Sequence, residues 1–302
     1  MNHVNDVAAV VVTYQSAGHI EALLDSLPAA MGSLSYSVTV VDNGSTDATL
    51  ELLTAREDCR TIASSNDGYA AGINRAVTHA PAARTVLILN PDATLDPDSV
   101  PRMLRTLTSS STIGIVAPRT READGSLSPT LRREPSLARV GGLSFTGWAP
   151  VTERIERPHE YTFPHAVDWA VGSVLLVDAE CYRTLGGMDE SYFLYSEETE
   201  FCLRARDLGW LTYYTPDAGA VHVGGGSGES ASTYAMQQIN RIRLYHRRHG
   251  RARAWVYYGL TVLNQGRRAL TGSESSRFTL RALLRPGLRP PQIRAGERLL
   301  PD

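Results

Sequence analysis

The chain contains no lysine: all thirty of its basic residues are arginine. This fits the codon bias of a GC-rich genome and carries no mechanism. Cysteine is scarce, and Cys59, Cys181 and Cys202 are far apart and odd in number. That excludes a disulfide framework and a thiolate metal site, and leaves each cysteine as a small buried hydrophobe. Apolar runs of about 18 residues, the length a membrane-spanning helix needs, are missing. The first residues, MNHVNDVAAVVVTY, lack the charged start, apolar stretch and small-residue cleavage site of a secretory leader. The cytoplasm is therefore the expected compartment. What remains is an ordinary globular composition, 302 residues with 42% apolar content, enough for one large α/β core or two small ones. The formal charge of −2 hides an asymmetry, because residues 241 to 302 carry fourteen arginines against Glu274, Glu297 and Asp302.

Hydrophobic patterning predicts alternating strands and helices. Val7 to Val12 is a continuous β-branched run, suited to a parallel strand covered on both faces. A helix is expected from about Ala17 to Leu27, with Ile20, Leu23, Leu24 and Leu27 on one face. Ser37 to Val41 is a second strand, ended by the turn formers DNGSTD, in which Thr46 or Asp47 caps a helix through Leu50, Leu52 and Leu53. Thr61 to Ala63, Tyr69 to Ala80 and Thr85 to Leu89 then read as strand, helix and strand. DPDSVPRMLRTL is a capped helix and Gly114 to Ala117 a strand. Residues 118 to 164 break into Gly, Pro, Ser and Arg, an excursion with short β pieces. Beyond it come a strand from Trp169 to Val177, a helix from Ala179 to Leu185 stopped by Gly186-Gly187, a helix from Glu197 to Leu208, and a strand from Leu211 to Thr215. One or two amphipathic helices and a Pro- and Arg-rich end fill residues 231 to 302.

The pattern is that of a doubly wound, mostly parallel α/β sheet, whose ligands bind beyond the carboxyl ends of the strands. Tyr14, Asp42, Asn66 and Asp92 each follow a strand directly, so such a sheet would bring them to one rim.

Seven ordered blocks sharpen this: VVVTYQS (10–16), VVDNGSTD (40–47), NDGYAAGIN (66–74), LILNPDA (87–93), DWAVGSVLLV (168–177), FLYSEETEFCLR (193–204) and AVHVGGGS (220–227). Together they resemble glycosyltransferase family 2, and within it the bacterial rhamnosyltransferase-like branch. The resemblance implies a GT-A fold over residues 1–230, with a nucleotide-sugar half at about 1–117, an acceptor half at 118–230, and a basic helical extension at 231–302. It implies an inverting transfer of a sugar, L-rhamnose from dTDP-L-rhamnose, onto a hydroxyl of a lipid-linked saccharide or other glycan precursor. The alternatives are a UDP-hexose enzyme acting on a small natural product, or an inactive homologue that only binds nucleotide sugar. A nucleotidyltransferase would need a glycine- and arginine-rich loop after the first strand, which TYQSAGH does not supply.

By the same resemblance, Thr13, Tyr14, Asp42, Asn66, Gly68, Asn74, Asn90 and Asp92 bind the donor. Asp42 reads a uracil or thymine edge while Tyr14 stacks on the ring. The competing reading makes Asp42 an Asx turn and Tyr14 a rim aromatic. Asp92 and His222 are the metal ligands. The site reads Asn90-Pro91-Asp92 where many relatives have two carboxylates, and an oxygen-plus-imidazole pair suits manganese better than magnesium. Glu198 is the general base and Glu197 the reserve; against that, acidic residues in a first turn also complement the helix dipole. Asp168, Trp169, Gly172, Ser173 and Glu200 fall at the acceptor side, where Trp169 packs on a sugar or simply fills the core. Glu200 orients a neighbour or the substrate. Arg132 and Arg133 read as solvated loop arginines before they read as anion contacts.

The basic tail, with WVYYGLTVLNQGRRAL at 255–270, suits peripheral contact with an anionic membrane at its inner face. Packing on the catalytic domain or on a second copy in a homodimer explains it equally well. No recognition motif accompanies the charge, which argues against nucleic acid.

Overall fold

The computed structural model describes residues 4–142, 146, 148–224 and 230–293. The end of the AVHVGGGS block and the last part of the basic tail, with Arg294, Glu297 and Arg298, lie outside the described residues.

In chain order the elements are β1 (Asn5–Thr13), α1 (Ile20–Met31), β2 (Tyr36–Asp42), α2 (Thr49–Thr54), β3 (Arg60–Ala63), α3 (Tyr69–His79), β4 (Ala83–Leu89), β5 (Ala93–Leu95) and α4 (Ser99–Thr108). There follow β6 (Ile113–Arg121), β7 (Leu131–Arg132), α5 (Leu137–Val140), β8 (His165–Val167), β9 (Trp169–Ala170), β10 (Val174–Asp178), α6 (Ala179–Leu185), α7 (Glu197–Asp207) and β11 (Leu211–His222). Three helices close the chain: α8 (Ala231–His249), α9 (Arg251–Leu270) and α10 (Glu274–Leu284).

Among the described residues the main sheet has nine strands in the order β3-β2-β1-β4-β10-β6-β11-β5, with β8 on β11. β1 to β4 pair in parallel, as continuous apolar runs dictate, and β10 enters antiparallel between β4 and β6. Side-chain alternation splits β1 between two cores. Val7, Ala9 and Val11 face α1 and α4, whereas Val10 and Val12 face α3, α6 and α7. Strands from residues 1–117 and from 118–230 thus share one sheet. A third cluster, with Ile239, Ile242, Tyr245 and Tyr257, ties α8 to α10 to Phe193 and Leu194 of the body.

Three expectations are corrected. The strand predicted over Trp169 to Val177 is two strands: β9 pairs with β7 in a small second sheet, and β10 joins the main one. The break falls at Gly172, where an added Cβ would lie 3.3 Å from Cβ of Glu198. β11 does not stop at Thr215 but runs on to His222. It absorbs Pro216 in a register shift between Thr215 and Gly219, the irregularity at which a sheet tolerates proline. The tail forms three helices rather than one or two.

Candidate active site

The ends of β3, β2, β1 and β4 form the rim that the sequence pattern implied. Register places Thr13 beside Asp42 and Asp42 beside Ala63, with Leu89 beside Val11. At about 4.8 Å per strand spacing, the ends of β2 and β4 lie about 10 Å apart across β1.

Asp42 is 1% exposed. Its carboxylate accepts from the Thr13 hydroxyl (2.9 Å), the Ser45 backbone N–H (2.9 Å) and the Ser45 hydroxyl (2.5 Å). It is the Asx turn of the competing reading, and it shapes the loop after β2. Gln15, at φ 54°, completes that loop by accepting from the N–H groups of Thr46 and Asp47. Asp47 in turn accepts from the Thr49 N–H and hydroxyl, starting α2. Tyr14 stands at the rim, 51% exposed, and Asn66, three residues after β3, is exposed as well.

The NDGYAAGIN block divides into rim and packing. Gly68 has φ 104°, and a Cβ there would sit 2.6 Å from the carbonyl oxygen of Phe193. The Tyr69 N–H donates to that same carbonyl at 2.8 Å. This glycine lets the start of α3 dock on the loop that leads into α7. Asn74 is corrected to a structural pin: its amide donates to the Met188 carbonyl and to Glu190, and its oxygen accepts from the Tyr182 hydroxyl and the Met188 N–H.

Two acidic sites, Asp92 after β4 and the Glu197–Glu198 pair at the start of α7, both act on Tyr69 at the start of α3. Asp92 is 7% exposed, and its Oδ1 lies 3.1 Å from Nε2 of His222. The pair is set by the β5–β11 ladder, which registers Ala93 on His222. Burial alone would raise the Asp92 pKa, but the hydrogen bond and charge of His222 outweigh it and hold the carboxyl below its usual range. Asn90 accepts from the Tyr69 hydroxyl at 2.9 Å. Burial, then the charges of Glu197, Glu198 and Asp92, keep that phenol protonated. Tyr69 therefore feels the charge of all three carboxylates and is tied to Asn90, two residues before Asp92.

Glu197 and Glu198 open α7. Each keeps one buried carboxylate oxygen without a hydrogen-bond donor, which is costly unless a substrate or proton completes it. Burial raises both pKa values, and for Glu197 the neighbouring Glu198 raises it further. Glu197 is 4% exposed, and Glu198 is half-buried. The pair is presented by two consecutive left-handed residues, Tyr195 (φ 67°) and Ser196 (φ 77°). Non-glycine residues hold that conformation only where the surroundings fix it. Here Asn240 of α8, fully buried, donates to the carbonyls of Leu194 (2.9 Å) and Tyr195 (3.2 Å).

The acceptor-side residues are held mostly in structural contacts. Asp168 accepts from the Glu134 N–H and pairs with Arg206. Trp169 is 8% exposed with its indole N–H on the Arg133 carbonyl, so it fills the core. Glu200 holds Arg204 at 2.8 Å through both oxygens, the neighbour-orienting role. Ser173 is buried and offers its carbonyl to the Asn90 N–H, while Gly172 makes room for Glu198. Arg132 is not a solvated loop arginine. Its guanidinium stacks 5.8 Å from the Trp169 ring, lies within the field of Glu198, and is pushed down to about 10 by burial, then by Arg154.

Sequence reasoning missed Tyr69 and Asn240 as site residues. Tyr69 lay inside a quoted block but was read only as a helix start, whereas Asn240 gave no local signal.

The donor set fits a divalent cation only in part-built form. Asp92 and His222 present one oxygen and one imidazole nitrogen at a common point. Among the described residues no group of three or more His, Cys, Asp or Glu converges. Such a pair suits an ion whose remaining positions are filled by substrate phosphate oxygens and water.

Comparison with known proteins accords with this geometry. Residues 8–178 match the family described as Glycosyl transferase family 2. The N-acetylglucosaminyl-diphospho-decaprenol L-rhamnosyltransferase of Mycobacterium tuberculosis is 32% identical over 234 residues, covering 72% of this chain and 76% of its own. Among solved structures, the mannosyltransferase PcManGT from Pyrobaculum calidifontis, in complex with GDP-Man and Mn2+, superposes with TM-score 0.56 at 17% identity, covering 96% of this chain and 82% of that one. GalNAc-T7 with UDP, GalNAc and Mn2+ gives 0.62 at 12% identity, covering 93% and 54%. These likenesses bear out the mixed, mostly parallel sheet with flanking helices expected of a GT-A fold. The chain belongs to glycosyltransferase family 2 and is a glycosyltransferase.

Proposed function

We propose that this enzyme transfers a sugar, L-rhamnose from dTDP-L-rhamnose, onto a hydroxyl of a lipid-linked saccharide by a single inverting displacement. The observation that carries the chemistry is the buried, donor-starved pair Glu197 and Glu198, whose charges reach the same Tyr69 phenol as that of Asp92. The sugar and the acceptor class rest on likeness to the mycobacterial L-rhamnosyltransferase, whose name specifies an N-acetylglucosaminyl-diphospho-decaprenol substrate.

In this reading Tyr14 stacks on the base at the open rim, and Asn66 flanks it. Asp42 acts through the loop it holds with Thr13 and Ser45 rather than from an exposed carboxylate. Asp92 and His222 hold a divalent ion, manganese by preference. When bound, that ion offsets the negative charge left on the departing diphosphate. Asn90 and Tyr69 keep Asp92 and the glutamates in one frame. Glu198 takes the proton of the acceptor hydroxyl at its unpartnered Oε2 as the hydroxyl oxygen attacks the anomeric carbon. Its raised pKa makes it a stronger base than an exposed glutamate. Glu197, more deeply buried, lies beside it and is itself raised further by the Glu198 charge.

A panel of UDP, GDP and dTDP sugars with manganese, read by nucleotide release and thermal shift, tests the reading. Selective release from dTDP-L-rhamnose supports it. Selective use of a UDP-hexose would move the donor to the alternative, and no release with any donor would contradict the transfer itself.

A further inference from the structure

Helix α9 is built inside out. At 3.6 residues per turn, Ala254, Tyr257, Thr261 and Gln265 share the stripe that is buried against the rest of the molecule. That inward stripe includes two polar residues, and Gln265 reaches Tyr234 and Gln238 of α8. The opposite arc, roughly 100° wide by the same periodicity, carries no charged or polar side chain: Trp255, Val256, Ala252, Gly259, Leu263 and Leu270. Its large members face outward, with Trp255 53%, Val256 51%, Leu263 71% and Leu270 90% exposed. Arginines border the arc, Arg251 on one side and Arg253 and Arg267 on the other, and α9 contains no acidic residue. Among the described residues no helix is long and apolar enough to cross a membrane.

We infer that the outer arc of α9 docks in the plane of an anionic lipid surface, its Trp and Leu side chains entering the interface and its bordering arginines meeting headgroup phosphates. An apolar stripe with an arginine border and a tryptophan is the composition of an interfacial helix. Charge decides the occupant. A second copy meeting this face symmetrically would set arginine against arginine with no acidic partner on the helix, whereas anionic headgroups complement the border. The inference deepens the reading above, because a lipid-linked acceptor is presented at such a surface.

The test is co-sedimentation of the full-length protein, without donor, with vesicles of phosphatidylcholine alone and of phosphatidylcholine mixed with phosphatidylglycerol. Binding should be confined to the anionic vesicles and should weaken with salt. Leu263→Glu, Trp255→Ala, and Arg251→Glu combined with Arg253→Glu should each lower it by about tenfold or more. Donor-nucleotide release and melting temperature, measured in solution on the same variants, should not change; failure of release in the parent protein would strike the functional reading and leave this one standing. Retention of vesicle binding in all three variants would overturn the inference. So would absence of binding, or a concentration-dependent dimer that Leu263→Glu abolishes.

Discussion

At the scale of single residues, the site is a balance of carboxylates held in opposite protonation regimes. Asp92 is kept acidic by His222, whereas burial pushes Glu197 and Glu198 toward the neutral form and the Glu198 charge raises Glu197 further. The stability consequence follows from linkage. A glutamate with a raised folded pKa keeps its proton in the fold after the unfolded chain has lost it. Stability is then greatest below the unfolded value of about 4.5 and falls as pH climbs from there through the folded pKa. Glu197→Gln should therefore raise the melting temperature by a few degrees at neutral pH, with the gain fading toward pH 4 in calorimetric scans. An equal gain at every pH would show that Glu197 is not titrating against burial. Asp92→Ala, by contrast, should remove the manganese-dependent part of nucleotide binding while leaving the far-ultraviolet spectrum intact. A thermal shift by manganese plus nucleotide that matches the parent protein would place the ion elsewhere. Asp92, His222 and the glutamates were legible in the sequence because each sits in a recognisable block. For Asp42, Asn74 and Trp169 the blocks leave a binding and a structural reading open, because a motif shows where a residue stands but not which hydrogen bonds already occupy it.

At the scale of elements, position was legible wherever local pattern and global fold agreed. β1, β2 and β4 are rich in buried aliphatic residues, and each of β1 to β4 is legible to within a few residues of its ends. The failures share a cause: long-range contact overrode local pattern. The stretch from Trp169 to Val177 reads as one strand, but Gly172 yields its side-chain space to Glu198 and the chain changes sheets there. β11 passes Pro216 because the register shift removes the need for its N–H. The clearest element-level dependence is the entry to α7, whose two left-handed residues are held by Asn240 from another helix. Asn240→Leu should cost about 1–3 kcal/mol of stability by stranding two buried carbonyls. It should also lower kcat by about tenfold or more, with little change in donor KM, since it loosens the base and not the donor rim. A variant destabilised to this degree but turning over at the parent rate would show that the clamp serves folding alone.

At the scale of the whole molecule, the C-terminal helices pack on the segment that leads into α7. Helices α8 to α10 share a core with Phe193 and Leu194, the residues that lead into the glutamate pair, and Arg247 and Arg248 bind Asp189, Asp207 and Glu134 of the body. A chain ended at residue 230 should expose that apolar surface, self-associate on size exclusion, and lose transfer activity. Full activity in a monomeric truncation would contradict this coupling. The basic charge of the tail was evident in its sequence, yet its division between inward ion pairs and an outward arginine border was not, because composition does not say which face of a helix is already covered.

The central claim is that Glu198 removes the acceptor proton within a cleft organised by Asp92 and His222. The most direct measurement is transfer by Glu198→Gln with manganese, dTDP-L-rhamnose and a lipid-linked acceptor, alongside calorimetric donor affinity. The account predicts a loss of about a hundredfold to ten-thousandfold in kcat with donor Kd unchanged. Turnover at the parent rate would contradict it.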